Sequence, residues 1–249
     1  MTYSRVVALY DIHGNLPALE TVMPEVRKAD PDCIVIGGDV TPGPMCKEVL
    51  DYLLDQNIPM NFIRGNCDVA ILQQLNGEIP NIQKQVLPLI QWVAEDLDAE
   101  HQRLMRTWPL SVTLDIAGLG KVLFCHATPR DEDEIFCSLT PDDRIRPAFE
   151  GVEVDVVVCG HTHFQDDRKL GDLRIVNSGS VGMPFGENGI HWLVMGPDIK
   201  FRNTPYDLEK AAQRVRATKY PAAEAFATKY ILSIPDEKET LAVYEKFQM

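Results

Sequence analysis

A chain of 249 residues, 45% hydrophobic and 24% charged, is long enough to bury a large core and has the balance of an ordinary globular protein. Its 37 acidic against 24 basic residues, a net charge of −13, argue against duplex nucleic acid or an anionic membrane as partner. They leave room for a small phosphorylated ligand, because bound cations invert a local field.

No apolar run approaches the roughly 18 residues of a transmembrane span, and Val6–Tyr10 is too short for a signal peptide. Six cysteines, none in a C-x-x-C pair, read as reduced core thiols of a cytoplasmic protein. The opening run Val6 to Tyr10 reads as a buried strand ending in Asp11-Ile12-His13-Gly14-Asn15. Side chains two apart on extended backbone share a face, so Asp11 and His13 can meet one cation. Leu16 to Ala29 has a helical apolar stripe and stops at Asp30-Pro31. Asp32 to Ile36 is a second buried strand, ending in Gly37-Gly38-Asp39. A helix from Met45 to Gln56 follows the turn Pro42-Gly43-Pro44, and a third strand, Pro59 to Arg64, ends in Gly65-Asn66-Cys67-Asp68.

This alternation is that of a parallel α/β sheet, whose strands deliver site residues at their C-terminal ends. Val69 to Arg106 reads as helical, broken near Gly77–Pro80 and near Pro88, with Trp92 in the core. Beyond it the period changes to two: Leu110–Ile116 and Lys121–Cys125 form a hairpin whose second strand ends in His126. The acidic run Asp131–Glu134 reads as a solvated loop face. Val154–Cys159 is another buried strand and ends in Gly160-His161-Thr162-His163. Short strands follow at Asp167–Leu170, Leu173–Asn177, Gly189–Met195 and Lys200–Thr204, with the Gly/Ser loop Asn177–Gly182 among them. Tyr206–Lys219, Ala222–Tyr230 and Pro235–Phe247 read as helices packed on the same compact unit.

Five strand ends thus carry Asp11 and His13, Asp39, Asn66, His126, and His161 and His163. Four of the six histidines, two aspartates and an asparagine at such positions point to a metal centre. A mixed nitrogen and oxygen donor set suits Mn, Fe, Zn or Ni. Seven protein ligands exceed one tetrahedral site and fit two neighbouring divalent metal ions, the arrangement for in-line displacement at phosphorus.

These blocks, in this order, resemble the calcineurin-like metallophosphoesterase superfamily across about residues 5 to 204. The flanks Asp11–Leu19, Gly43-Pro44 and Asn177–Gly182 are similar to its small bacterial and archaeal phosphodiesterase branch. The resemblance implies a four-layer αββα sandwich over residues 1–205, with a C-terminal helical segment at 206–249. It also implies hydrolysis of a phosphate ester, a phosphodiester above all, by a hydroxide bridging two metals. One metal would be held by Asp11, His13, Asp39 and His163, and the other by Asp39, Asn66, His126 and His161, with Asp39 shared. Asn66 would also touch a phosphate oxygen.

One position departs from the superfamily's commonest form: Cys67 stands where many members have a histidine beside the leaving group. A thiol is the weaker donor, so poor leaving groups should gain little, and aryl or pyrophosphate-type esters should be favoured; the alternative is a passive space-filler. Asp68 is expected to orient a ligand. Arg130 is a candidate for a phosphate oxygen, Ser178 and Ser180 for a substrate wall, and Arg64 for a structural role. His101 and His191 fall outside the pattern. Arg214, Arg216 and Lys219 mark either a cap or a solvated helix face. The substrate is expected to be small and phosphorylated, nucleotides, dinucleoside polyphosphates and phosphomonoesters included. The competing functions are a non-catalytic scaffold on the same fold, which would have lost ligands, and a nuclease, which would be more basic.

Overall fold

The computed structural model describes residues 1–246, so the end of the last expected helix, at Phe247, lies outside the described residues. Residues 2–62 form β1 (Thr2–Tyr3), β2 (Val6–Leu9), α1 (Leu16–Lys28), β3 (Cys33–Ile36), α2 (Cys46–Leu54) and β4 (Met60–Phe62). β2 and β3 are buried at every position, as strands covered on both faces must be. The Asn15 side chain caps α1 by accepting from the Ala18 N–H, and Pro17 occupies the first turn, where no donor is lost.

α3 (Asn66–Leu75), α4 (Leu87–Asp96) and α5 (Ala99–Met105) fill the expected helical stretch, with the expected break at Gly77–Pro80 between α3 and α4, but the second break differs. Pro88 opens α4 instead of interrupting a helix. The interruption falls at Leu97-Asp98, where the Asp98 carboxylate caps α5 by accepting from the N–H groups of Glu100 and His101. The remaining elements are β5 (Ser111–Ile116), β6 (Gly120–Cys125), α6 (Asp142–Ile145), β7 (Val156–Cys159), β8 (Gln165–Leu170), β9 (Leu173–Ser178), β10 (Ile190–Met195), β11 (Ile199–Thr204), α7 (Leu208–Arg216), α8 (Ala223–Phe226) and α9 (Glu237–Tyr244). α8 continues as a wider π-type turn to Leu232.

The strands make two mixed sheets, not the single parallel one that their alternation with helices suggests. One has the order β11-β10-β2-β3-β4, the other β1-β5-β6-β7-β9-β8. β2, β3 and β4 run parallel in the first, and β6, β7 and β9 run parallel in the second. The sheets face each other across an apolar layer that includes Val6, Ala8, Val35, Phe124, Val158 and Leu193. Outside the first sheet lies a thick helical layer, in which Leu19 and Val22 of α1 meet Leu50 of α2 and Ala212 and Val215 of α7. Outside the second sheet the cover is thin: Phe136, Ile145 and Phe149 close over Cys125, Cys159 and Ile175. The result is an αββα sandwich, with the C-terminal ends of β2, β3, β4, β6 and β7 meeting at one edge.

Candidate metal centre

Each donor loop begins where a parallel strand stops, and the chain turns sharply there. Asp11, His13, Asp39, His161 and His163 all have positive φ, between 46° and 66°. Aspartate and histidine tolerate this left-handed region better than most residues, yet five together mark a backbone held against its preference, as at functional sites. Neighbouring loops press on the same segment. A Cβ at Gly43 would lie 1.8 Å from the His13 carbonyl oxygen, and one at Gly182 would lie 1.8 Å from that of Ile12. Only glycine permits both approaches.

The carboxylates are each fixed by one oxygen. Asp11 Oδ2 accepts from the His161 N–H at 3.0 Å, and Asp39 Oδ1 from the Cys67 N–H at 2.9 Å. Their other oxygens face the imidazoles. Asp11 Oδ1 lies 3.3 Å from His163 Nε2, 3.8 Å from His126 Nε2 and 3.9 Å from His13 Nε2. Asp39 Oδ2 lies 3.6 Å from His126 Nε2 and 3.7 Å from His13 Nε2. Behind the ring, His126 Nδ1 meets the Gly37 carbonyl at 2.9 Å, His163 Nδ1 that of Met183 at 2.7 Å, and His13 Nδ1 that of Pro42 at 3.3 Å. A carbonyl needs a donor, so each Nδ1 carries a proton and each Nε2 is the nitrogen turned inward, the orientation of a metal-ligating histidine.

Asp11 Oδ1, Asn66 Oδ1, His126 Nε2 and His161 Nε2 are buried with no hydrogen-bond partner among the described residues. Buried polar atoms almost always find partners, so orphans from four loops signal an unmet ligand. The donor atoms of Asp11, His13 and His163 lie within 4.8 Å of one another, as do those of Asp11, Asp39 and His126. These groups share Asp11, whereas the resemblance makes Asp39 the shared residue; Asp39 nonetheless reaches toward histidines of both groups. The donor set therefore fits divalent cations.

The electrostatics separate the rings. Burial lowers His13 and His161 to about 4, which leaves neutral rings able to ligate. At His126 burial is outweighed by Asp39 and Asp11, which lift it to about 10, so this ring holds a second proton that a bound cation would displace. Burial opposes ionisation of Asp11 and Asp39, but the imidazoles around them hold both below the usual carboxylate range.

Asp68 does not face the donors. Its Oδ1 accepts from the Thr41 N–H and hydroxyl at 3.0 and 2.8 Å, and its Oδ2 from the Gly65 N–H at 3.1 Å. It ties the loop after β3 to the loop after β4, and burial and Asp39 raise its pKa. Burial and Asp39, to which it is hydrogen-bonded, likewise keep the Cys67 thiol protonated. The Ser180 hydroxyl donates to the Asp11 carbonyl at 2.7 Å and accepts from the Met183 N–H at 2.8 Å, so it faces backbone. Arg130 binds the Glu134 carboxylate and the Pro147 carbonyl, and Arg64 approaches Glu132 at 3.5 Å. Ser178 is buried. His101 meets Asp51 and Asp98, away from the centre.

Sequence reasoning missed Asn177, whose amide donates to the Gly160 carbonyl at 2.6 Å and to Thr162 Oγ1 at 3.0 Å, shaping the double-histidine loop. An Asn preceding Ser-Gly-Ser at a strand end was the available signal. Among the described residues no helix is long and apolar enough to cross a membrane, and no disulfide forms.

Comparison with known proteins gives the same picture. The family model of the calcineurin-like phosphoesterase superfamily domain matches residues 5–198. An uncharacterized protein of Methanocaldococcus jannaschii is 25% identical over 245 residues, covering 89% of this chain and 96% of that one. A metallophosphoesterase from Sphaerobacter thermophilus superposes with a TM-score of 0.69 at 22% identity, over 92% of this chain and 98% of its own. A hypothetical protein from Pyrococcus horikoshii gives 0.74 at 20%, over 91% and 98%. The chain belongs to the calcineurin-like phosphoesterase superfamily.

Proposed function

We propose that this protein is a phosphodiesterase with a dinuclear metal centre, hydrolysing a small phosphate diester. The carrying observation is the set of four buried, partnerless donor atoms on Asp11, Asn66, His126 and His161. Asp11, His13 and His163 would hold one ion, and Asn66, His126 and His161 the other, with Asp39 between them.

Ions held by these residues would supply a bound water of lowered pKa and offset charge on phosphorus. The chain's own part is positioning. His13, His126 and His163 are locked by carbonyls behind them, and Asp11 and Asp39 by backbone N–H groups. The Asn66 amide would reach a phosphate oxygen as well as an ion. Preference for a diester follows from the arginines. Arg64 and Arg130 are both engaged by carboxylates, which leaves neither to hold the second charge of a monoester. No ligand position is lost, which argues against a scaffold role.

The test is metal analysis of purified protein, then assay against a panel of phosphate esters with Mn²⁺ added. Hydrolysis of a diester is expected; none, with both metal positions filled, overturns the proposal.

A further inference from the structure

The loop after β6 carries four consecutive acidic residues, Asp131–Glu134, and the structure sorts them. Glu134 is taken up by Arg130 and by the Thr128 hydroxyl. Asp131 Oδ1 turns the loop by accepting from the N–H groups of Asp133 and Glu134 at 2.7 and 3.2 Å. Glu132 faces Arg64. The Asp133 carboxylate alone of the four has no hydrogen-bond or ion-pair partner among the described residues.

Asp133 and Glu132 belong to the lining of a pocket of about 110 Å³, together with the polar Asn66, Gln73 and Asn81 and the apolar Val69, Ala70 and Ile82. That is room for several waters or a small headgroup. Asn66 is part of the pocket's lining, and its buried Oδ1 is one of the orphaned metal-ligand atoms, so the pocket and the metal centre share this residue. A group attached to a phosphate at the metal centre would therefore extend along Asp133. Partial burial raises the Asp133 carboxyl, and Asp131 and Asp39 add to it, so this wall of the pocket is acidic.

We infer that Asp133 is a specificity residue: it selects substrates whose alcohol group beside Asn66 is cationic or uncharged, and it rejects anionic groups such as further phosphates. This rests on the phosphoesterase reading above, and it narrows the expected substrates away from pyrophosphate-type esters. Asp133 stands at the pocket rim, where solvent screens it, so a three- to tenfold effect is expected, about that of a partly exposed ion pair.

The test measures binding to the Mn²⁺-loaded protein by calorimetry for phosphocholine, ethyl phosphate and phosphoglycolate, which share a phosphate and differ in the charge carried beyond it. The readout is the affinity for phosphocholine divided by that for phosphoglycolate, compared between variants so that the metals' own contribution cancels. In Asp133→Asn this ratio should fall about three- to tenfold, and in Asp133→Lys further, with ethyl phosphate nearly unmoved. Asp172→Asn, in the turn between β8 and β9, should leave it unchanged. An unchanged ratio in Asp133→Asn overturns the inference. So does an equal fall in Asp172→Asn, which would mean a general field, or a loss of Mn²⁺ from Asp133→Asn, which would mean action through the metal. Diester hydrolysis is scored separately: its absence with the ratio effect intact defeats the phosphodiesterase reading and leaves the role of Asp133 standing.

Discussion

The two sheets contribute unlike halves to the metal centre. The five-stranded sheet supplies both carboxylates, the asparagine and His13, and its loops are sewn to one another. The N–H groups of Asp11, His13 and Gly14 donate to the carbonyls of Gly38, Asp39 and Val40, and Asp68 clamps Thr41 to Gly65. The six-stranded sheet supplies only imidazoles, on loops held mainly by Asn177 and by the Gly160 N–H donating to the His126 carbonyl. The ties that join the halves at the site centre on Asp11, which makes three of them: Oδ2 to the His161 N–H, and its carbonyl to the Ser180 hydroxyl and the Gly182 N–H. The carboxylate half is thus braced by its own backbone, while the imidazole half converges on atoms that lack partners. A metal is what would complete it.

The largest effect should come from the residue both halves share. Asp11→Asn keeps the shape and the bond to the His161 N–H but removes the charge that faces three imidazoles. Metal content and turnover should fall more than a hundredfold, beyond what losing a partner behind a ligand costs, while circular dichroism stays unchanged. A fully active, metal-replete variant would show that the opening strand's Asp-x-His is not part of the centre.

Asp68→Ala tests the bracing of the carboxylate half alone. Three donors, the N–H and hydroxyl of Thr41 and the N–H of Gly65, would lose their acceptor in a buried place. The loss should be about 2–4 kcal/mol of stability in denaturant titration, with metal affinity about 10- to 100-fold weaker because Asp39 is two residues from Thr41. If stability falls but metal affinity does not, the clamp serves the fold and not the centre.

How much of this was legible from sequence follows the same division. The donors could be read because each sits where an apolar run stops, and Asp, Asn and His at such ends are chemically conspicuous. The sheet partition could not: β2, β3 and β4 alternate with helices as one parallel sheet would, and nothing local tells β5 that it starts a second sheet and pairs with β1. The roles of Arg130 and Ser180 were equally out of reach, because an i,i+4 glutamate competes for the first and a carbonyl a hundred and sixty-nine residues away holds the second. Pro88 was read as a helix breaker because its position relative to the helix start, not its identity, decides its effect.

Ser180→Ala probes the join between the halves at smaller scale. It leaves the Met183 N–H without its acceptor and the Asp11 carbonyl with the Gly182 N–H alone, so about 1–3 kcal/mol of stability should go, read as a fall in thermal midpoint. The Met183 carbonyl also orients His163, so Mn²⁺ affinity should drop in step. Unchanged affinity would place the hydroxyl's effect in folding only.

The smallest expected effect is at Cys67, which lies against Asp39 in the carboxylate half but contributes no donor to the imidazole half. Its thiol is protonated and weakly donating, already occupied by Asp39. A leaving oxygen therefore receives little help from it, and rates should fall steeply as leaving groups become more basic. Cys67→His places a stronger acid at the same point. For aryl diesters with good leaving groups the rate should change by only a fewfold, while basic leaving groups gain up to about 10²-fold, the low end of general acid catalysis. The diagnostic is the slope of log rate against leaving-group pKa, which should become shallower. An identical slope in the two proteins would make Cys67 a space-filler, and the half of the site that holds the carboxylates would then have no part in protonating the leaving group.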